Sequence, residues 1–265
     1  MQPIRNPMLD RKHVLITGVV DSASIAYAIT RRCLDHGAEV ILTAPPRDLE
    51  RSSTVAADLG LDVIELDAND PEHWSDATRT IRSRWTHLDG AVHAIAYAPA
   101  AALHGTMLDA DPAGLSLAFQ TSVASYAWLG RLLNDLAPPT GASLVGLDFD
   151  SSRAWPTYNW MGVCKAALEA TNQYLARDLA FTRTRANLIA AGPIITRAAS
   201  GIPGFSLLLD AWEHQAPLKW DPTDPTPVAD AACYLLSDLS RATTGEILHV
   251  DAGFHAMATV LPSTP

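Results

Sequence analysis

The sequence is short of cysteine, of positive charge and of long apolar runs. Its three cysteines, Cys33, Cys164 and Cys233, are odd in number, far apart and without a CxxC pair. That spacing argues against a disulfide framework and against a structural zinc site, and it agrees with a reducing compartment. Only 19 Lys and Arg face 29 Asp and Glu, a net charge of −10. Such a surface repels nucleic acid and anionic membranes, so neither is expected as a partner. No apolar run approaches the roughly 20 residues that span a bilayer. The stretch from Met1 to Lys12 lacks the apolar block of a signal peptide, which makes a soluble, cytoplasmic protein the expectation. The nine histidines are scattered rather than set at ligand spacing, and no metal is expected.

What is present is apolar and periodic. Hydrophobic residues make up 48% of the 265 positions, enough for a large core. Short apolar runs fall at 13–18, 38–43, 63–66, 90–96, 142–147, 186–191 and 246–250. Helix-like stretches at 25–36, 51–59, 72–84, 112–136, 158–180, 206–215 and 228–238 separate them. Strand and helix in alternation predict one doubly wound (Rossmann) α/β domain over residues 1–265, with a seven-stranded parallel sheet. The segment from about Arg197 to Trp220, with Gly201, Pro203, Gly204 and Pro217, breaks the rhythm and reads as a short substrate-binding loop. The ends, 1–8 and 259–265, read as loose.

Chemistry is expected where strands end. Gly18 follows the first strand and leads to Ser24-Ile25-Ala26, a turn that lets a pyrophosphate approach a helix N-terminus. It is not GxGxxG, and an ordinary strand–turn–helix fits as well. The second strand ends without an acidic residue for the adenosine ribose. Arg47 there suits either a 2′-phosphate or plain solvent. Asp67, followed by Ala68, suits an adenine amino group or a turn cap. The small residues of Ala94-Ile95-Ala96 allow close backbone approach or tight packing. Tyr158 and Lys165, seven apart, share a helix face, where an ammonium and a phenol can orient a sugar diol and a developing oxyanion. Gly192-Pro193-Ile194-Ile195-Thr196 turns at the carboxyl end of the sixth strand, with Thr196 a cofactor contact or a helix cap.

In this order the pieces resemble the enoyl-acyl-carrier-protein reductases of the short-chain dehydrogenase/reductase superfamily, over about Leu9 to Ala258. The matches are Gly18 with Ser24-Ile25-Ala26, Leu66-Asp67, Tyr158 with Lys165, and Ala191 to Ile194 with Thr196. The run from Gly146 to Asp150 and on to Tyr158-Asn159-Trp160-Met161 is similar to the mycobacterial branch, with phenylalanine at 149. The loop Ala198 to Ile202 is closer to shorter-loop bacterial members.

The resemblance implies NADH rather than NADPH, held by Gly18, Ser24 and Ile25, with adenine near Asp67 and Ala68. Ile95 and Ala96 would line its inner face, Lys165 would hold the nicotinamide ribose, Ile194 the carboxamide, and Thr196 would lie near the pyrophosphate. It further implies reduction of a trans-2-enoyl thioester on acyl-carrier protein or coenzyme A. Tyr158 would hydrogen-bond the thioester oxygen, Phe149 would border the reacting centre and Met161 the substrate. A homotetramer is implied too.

Ala94 and Ala96 depart from the family's Ser-Ile-Gly, and with the short loop they suggest a shorter or differently shaped acyl chain. The alternatives are a related reductase recruited to specialised acyl or polyketide metabolism, and a non-catalytic dinucleotide-binding protein. An acidic carrier would need a basic patch drawn from Arg47, Arg153, Arg183, Arg185, Arg197 and Lys219. If those cations are scattered, coenzyme A or a small free substrate is favoured.

Overall fold

A computed structural model describes residues 7–156 and 158–258; of the ends expected to be loose, 1–8 and 259–265, all but Pro7 and Met8 lie outside them. The chain runs β1 (His13–Thr17), α1 (Ile25–Asp35), β2 (Glu39–Ala44), α2 (Leu49–Ala57), β3 (Val63–Glu65) and α3 (Pro71–Arg84). It continues with β4 (Gly90–His93), α4 (Ala100–Leu103), α5 (Pro112–Phe119), α6 (Ser125–Leu136), β5 (Ser143–Asp148) and α7 (Asn159–Asp178). β6 (Arg185–Ala191), α8 (Arg197–Ser200), α9 (Phe205–Gln215), α10 (Thr226–Leu236) and β7 (Ile247–Val250) complete it. The seven strands form one sheet in the order β3-β2-β1-β4-β5-β6-β7, and every pair is parallel.

The expected fold class is therefore observed. Strands covered on both faces must be apolar on both, which is why they are continuous runs in the sequence. Alternation along β1 divides them between two cores. Leu15 joins Ile41, Ile81, Tyr126, Leu129 and Leu144 beneath α3, α6 and α7. Val14 and Ile16 join Ile29, Val40, Val92 and Cys233 beneath α1 and α10.

Three expectations are corrected. The fourth strand stops at His93, because Ala94 to Ala98 leave the ladder and floor a cleft. The stretch 112–136 is not one α-helix: a π-helical turn, Gln120–Ala124, separates α5 from α6. The supposed loop after Thr196 contains α8 and α9.

The deepest polar contact of the first core is the hydroxyl of Tyr126. It donates to Asn172 Oδ1 at 2.9 Å, with the Asn187 carbonyl at 3.3 Å. Room for its ring comes from Gly146, where a Cβ would lie 3.0 Å from Tyr126 Cε2 and 2.5 Å from Leu188 Cδ2. Tyr126→Phe leaves the Asn172 acceptor without its donor in the fully buried core. The expected cost is roughly 1–3 kcal/mol, read as a lower urea midpoint with an unchanged m-value.

Candidate active site

The order of strands reverses between β1 and β4, the place where doubly wound sheets bind ligands. There the Thr17 hydroxyl donates to the Val92 carbonyl at 3.0 Å and accepts from Ala94 N–H at 3.0 Å, locking the two strand ends together. Gly18 follows with φ +80°, and a Cβ on it would collide with the Ala94 carbonyl oxygen. Neither the dihedral nor the space admits another residue. The chain then turns into α1, capped by Ser24, whose Oγ accepts from Tyr27 N–H at 3.1 Å and donates to the Asp21 carbonyl at 2.8 Å.

A cleft of about 690 Å³ opens above these strand ends. Gly18, Ser24 and Ile25 line one side of it, and Ile95 and Ala96 the floor. Phe149, Tyr158, Met161 and Lys165 stand opposite, and Ile194 and Thr196 close the remaining wall. Eleven residues singled out from the sequence thus meet in one cavity. Two do not. Asp67 caps its own turn, accepting from Asn69 N–H at 2.9 Å. Ala68 is buried in the core, its carbonyl taken by the Trp74 indole at 3.0 Å. Thr196 lines the cleft and caps α8 through Ala199 N–H at 3.1 Å, the helix-cap role expected of it. Arg47 also lines the cleft, with its guanidinium 5.6 Å from the centre of the Tyr97 ring and 3.4 Å from Asp48.

The floor is held from behind by the π-turn. The Ser122 hydroxyl accepts from Tyr97 N–H at 3.0 Å and donates to the Tyr97 carbonyl at 3.1 Å. Ser125 donates to the Thr121 carbonyl at 2.6 Å, so His93 Nε2–H donates to Ser125 Oγ at 2.8 Å. His93 Nδ1 is left buried and without a partner. Burial, aided by the Lys165 charge, pushes His93 down to about 3, so the ring is neutral at ordinary pH.

Tyr158 caps the start of α7 and is buried against Phe149, ring centres 5.1 Å apart. Phe149 is wedged in turn by Trp155 at 5.2 Å and Trp212 at 5.7 Å, and Trp212 stacks on Phe254 at 3.8 Å. Burial raises the Tyr158 phenol well above its usual range, so it remains a proton-bearing donor. Lys165, two turns along α7, is only 6% exposed, and its Nζ donates to the Leu147 carbonyl at 2.9 Å. Burial lowers its pKa, and Asp148 opposes that shift.

Sequence reading passed over Asp148, which lines the cleft with both carboxylate oxygens buried and no hydrogen bond of good geometry to either. The signal was a carboxylate closing an apolar strand at the carboxyl edge of the sheet. Among the described residues, one metal-type cluster, His13, His87 and Asp89, lies at the opposite end of the strands. There Asp89 accepts the His13 backbone N–H at 2.8 Å and His13 stacks on Trp85 at 4.5 Å.

A glycine turn at the switch point, faced by a buried phenol and ammonium on one helix, defines a dinucleotide-binding oxidoreductase of the short-chain type. Comparison narrows this. The family model described as Enoyl-(Acyl carrier protein) reductase matches residues 18–255. The NADH-type enoyl-[acyl-carrier-protein] reductase of Mycolicibacterium smegmatis is 37% identical over 262 residues, covering 93% of this chain and 97% of that one. Its counterpart from Aquifex aeolicus is 38% identical over 253 residues, covering 94% and 93%. The crystal structure of the Anaplasma phagocytophilum reductase in complex with NAD superposes with a TM-score of 0.91 at 34% identity, covering 97% and 98%. The chain belongs to the enoyl-acyl-carrier-protein reductase family.

Gly18→Ala tests the turn. The left-handed backbone alone costs about 1–2 kcal/mol, and the collision with Ala94 adds to it. A lower thermal midpoint and weaker dinucleotide binding by fluorescence titration are expected together.

Proposed function

We propose that this chain catalyses the NADH-dependent reduction of a trans-2-enoyl thioester to the saturated acyl thioester. The observation that carries this reading is the pairing of a buried, neutral Tyr158 with a buried Lys165 on one face of α7, opposite the Gly18 turn. The relatives' printed names give the same activity and cofactor. A cofactor fits the residues present: Gly18 leaves a cradle that a Cβ would fill, and the groups aimed into the cleft bear donors.

When bound, NADH supplies the hydride for the β carbon. Everything else falls to side chains. Tyr158 donates to the thioester oxygen as enolate charge develops, which stabilises the transition state more than the ground state. Lys165 holds the nicotinamide ribose hydroxyls. Phe149, fixed by its aromatic neighbours, borders the reacting centre and keeps water out. Ser24 and the N-terminus of α1 receive the pyrophosphate, with Thr196 across the cleft, and Ile194 meets the carboxamide. Asp67 and Ala68 stand back from the cleft, and Arg47 with Tyr97 takes over the adenosine end. One domain over residues 1–265 serves both ligands.

The acyl chain would run between Met161 and the wall built by Ile202, Phe205 and Leu208. That wall is helical and short, which favours a compact acyl group. The cations favour coenzyme A over an acidic carrier protein. Arg183 and Arg185 stand at the start of β6, away from the cleft, with Arg185 bound to Ser240 Oγ at 2.8 Å. Arg153 is held by the His255 carbonyl at 3.1 Å, while Arg47 and Arg197 face the cleft. These positions do not make one patch.

A homotetramer is supported by apolar side chains left open on neighbouring helices, including Phe119, Val163, Tyr174 and Phe181. Three free buried thiols suit a cytoplasmic location. No helix among the described residues is long and apolar enough to cross a membrane.

The test follows the nicotinamide absorbance with crotonyl and octenoyl groups on coenzyme A and on acyl-carrier protein. Oxidation of NADH is expected, faster for crotonyl-coenzyme A. Lys165→Ala is expected to lose NADH affinity, and Tyr158→Phe to lose about 10²–10³ in turnover, the usual cost of one oxyanion donor. Binding of NADH with no turnover of any enoyl thioester would overturn the reading.

A further inference from the structure

The reaction as described leaves one buried titratable group in the cleft unused. Asp148 is the last residue of β5, one position after the carbonyl that holds Lys165. It is 5% exposed and lines the cleft, with the Phe149 N–H and the Glu169 carboxyl beside it but, among the described residues, no hydrogen bond of good geometry to either oxygen. A carboxyl group buried to this degree is costly and is retained where something else depends on it.

Its surroundings say what that is. From β4, His93 stands near Lys165 as a neutral ring. From α6, the Tyr126 phenol is raised by burial and by Asp148 itself. From α7 come Tyr158 and Cys164, both raised by burial and so uncharged, together with Lys165 and Glu169. Glu169 is only half-buried, and its Oε1 accepts from Ser151 N–H at 3.1 Å. The charges at this spot thus reduce to the Lys165 ammonium, the Asp148 carboxyl and the rim carboxylate of Glu169.

We propose that Asp148 is a positioning residue for the reduction: its carboxyl group governs the charge of the Lys165 ammonium that the neighbouring Leu147 carbonyl holds, and through it the hold on the nicotinamide ribose. The inference rests on the proposed function and deepens it. Burial, with the Glu169 charge, lifts Asp148 to about 8, while Lys165 pulls the other way. As pH rises through that value Asp148 ionises, and its negative charge keeps Lys165 protonated where burial alone would strip the proton away. The cleft therefore keeps its ammonium into mildly alkaline solution. The Leu147 carbonyl fixes the lysine's position, and the next residue, Asp148, sets its charge.

The test measures NADH affinity by nicotinamide fluorescence, and kcat/KM, from pH 6.5 to 9.5 for the full-length wild type and Asp148→Asn. In the variant Lys165 has lost its counter-charge, so the alkaline fall in both quantities is expected to move down by about one to three pH units. The wild-type advantage should therefore widen at least tenfold between pH 6.5 and 9. A merely structural role would lower both quantities by the same factor at every pH, and parallel profiles overturn the inference.

Asp148→Asn removes the cost of an ionised buried carboxylate, so its thermal midpoint at pH 9 should be no lower than the wild type's. If it fails to fold, Asp148→Ser provides the same readout. In a Lys165→Met background, adding Asp148→Asn should cause no pH-dependent loss, and a persisting loss would overturn the coupling. Failure of the wild type to bind NADH at all would sink the functional reading, whereas binding with parallel profiles would sink only the role of Asp148.

Discussion

The Thr17 hydroxyl, bonded to Val92 in β4 and to Ala94 just beyond it, is the contact on which the rest of the cleft depends. Parallel strands leave their carboxyl ends unpaired where the order reverses, and each end needs a partner or a turn. Thr17 supplies the partner and Gly18 the turn. Their joint geometry aims the N-terminus of α1 at the opening and lets Ala94 to Ala98 peel away as a floor. With a larger residue at 18, the Ala94 carbonyl would have to move and the floor with it.

Opposite this junction the chemistry relies on burial more than on hydrogen bonds. A neutral His93, a proton-bearing Tyr158 and an ammonium at Lys165 share a space from which solvent is largely removed. In such a place a single charge acts strongly on its neighbours. The aromatic group of Phe149, Trp155, Trp212 and Phe254 keeps the space closed on one side. It also ties the residue after β5, α9 and the segment following β7 to the same spot.

Much of this was legible in the sequence. The strands were, because burial on both faces forces uninterrupted apolar runs. Tyr158 and Lys165 were, because a seven-residue interval can only put them on one helix face. Gly18, Ser24 and Thr196 were, because strand ends and helix caps have few acceptable residues. What stayed hidden depends on contacts across the fold. Asp67 closes its own Asx turn, a local bond that sequence pattern weighs equally with a ligand contact. The fourth apolar run extends past His93 without a break, so nothing in it announces that pairing stops there. The end of the apolar run before Phe149 gives no hint that the Asp148 carboxyl would be buried in the cleft wall.

The π-turn at Gln120–Ala124 has a consequence for how one stretch of chain serves two masters. An extra residue in a helical turn rotates all that follows by about 100°. The stretch 112–136 is thereby two surfaces in different phase. After the turn, α6 presents Tyr126, Leu129 and Leu133 to the core. Within it, Thr121 reaches Asn69 at 2.9 Å and Ser122 clasps Tyr97. A straight α-helix would have to choose between those two alignments. The single inserted residue works as a phase shifter, so that deleting it would be felt in the core and at the cleft floor at once, although it touches no ligand.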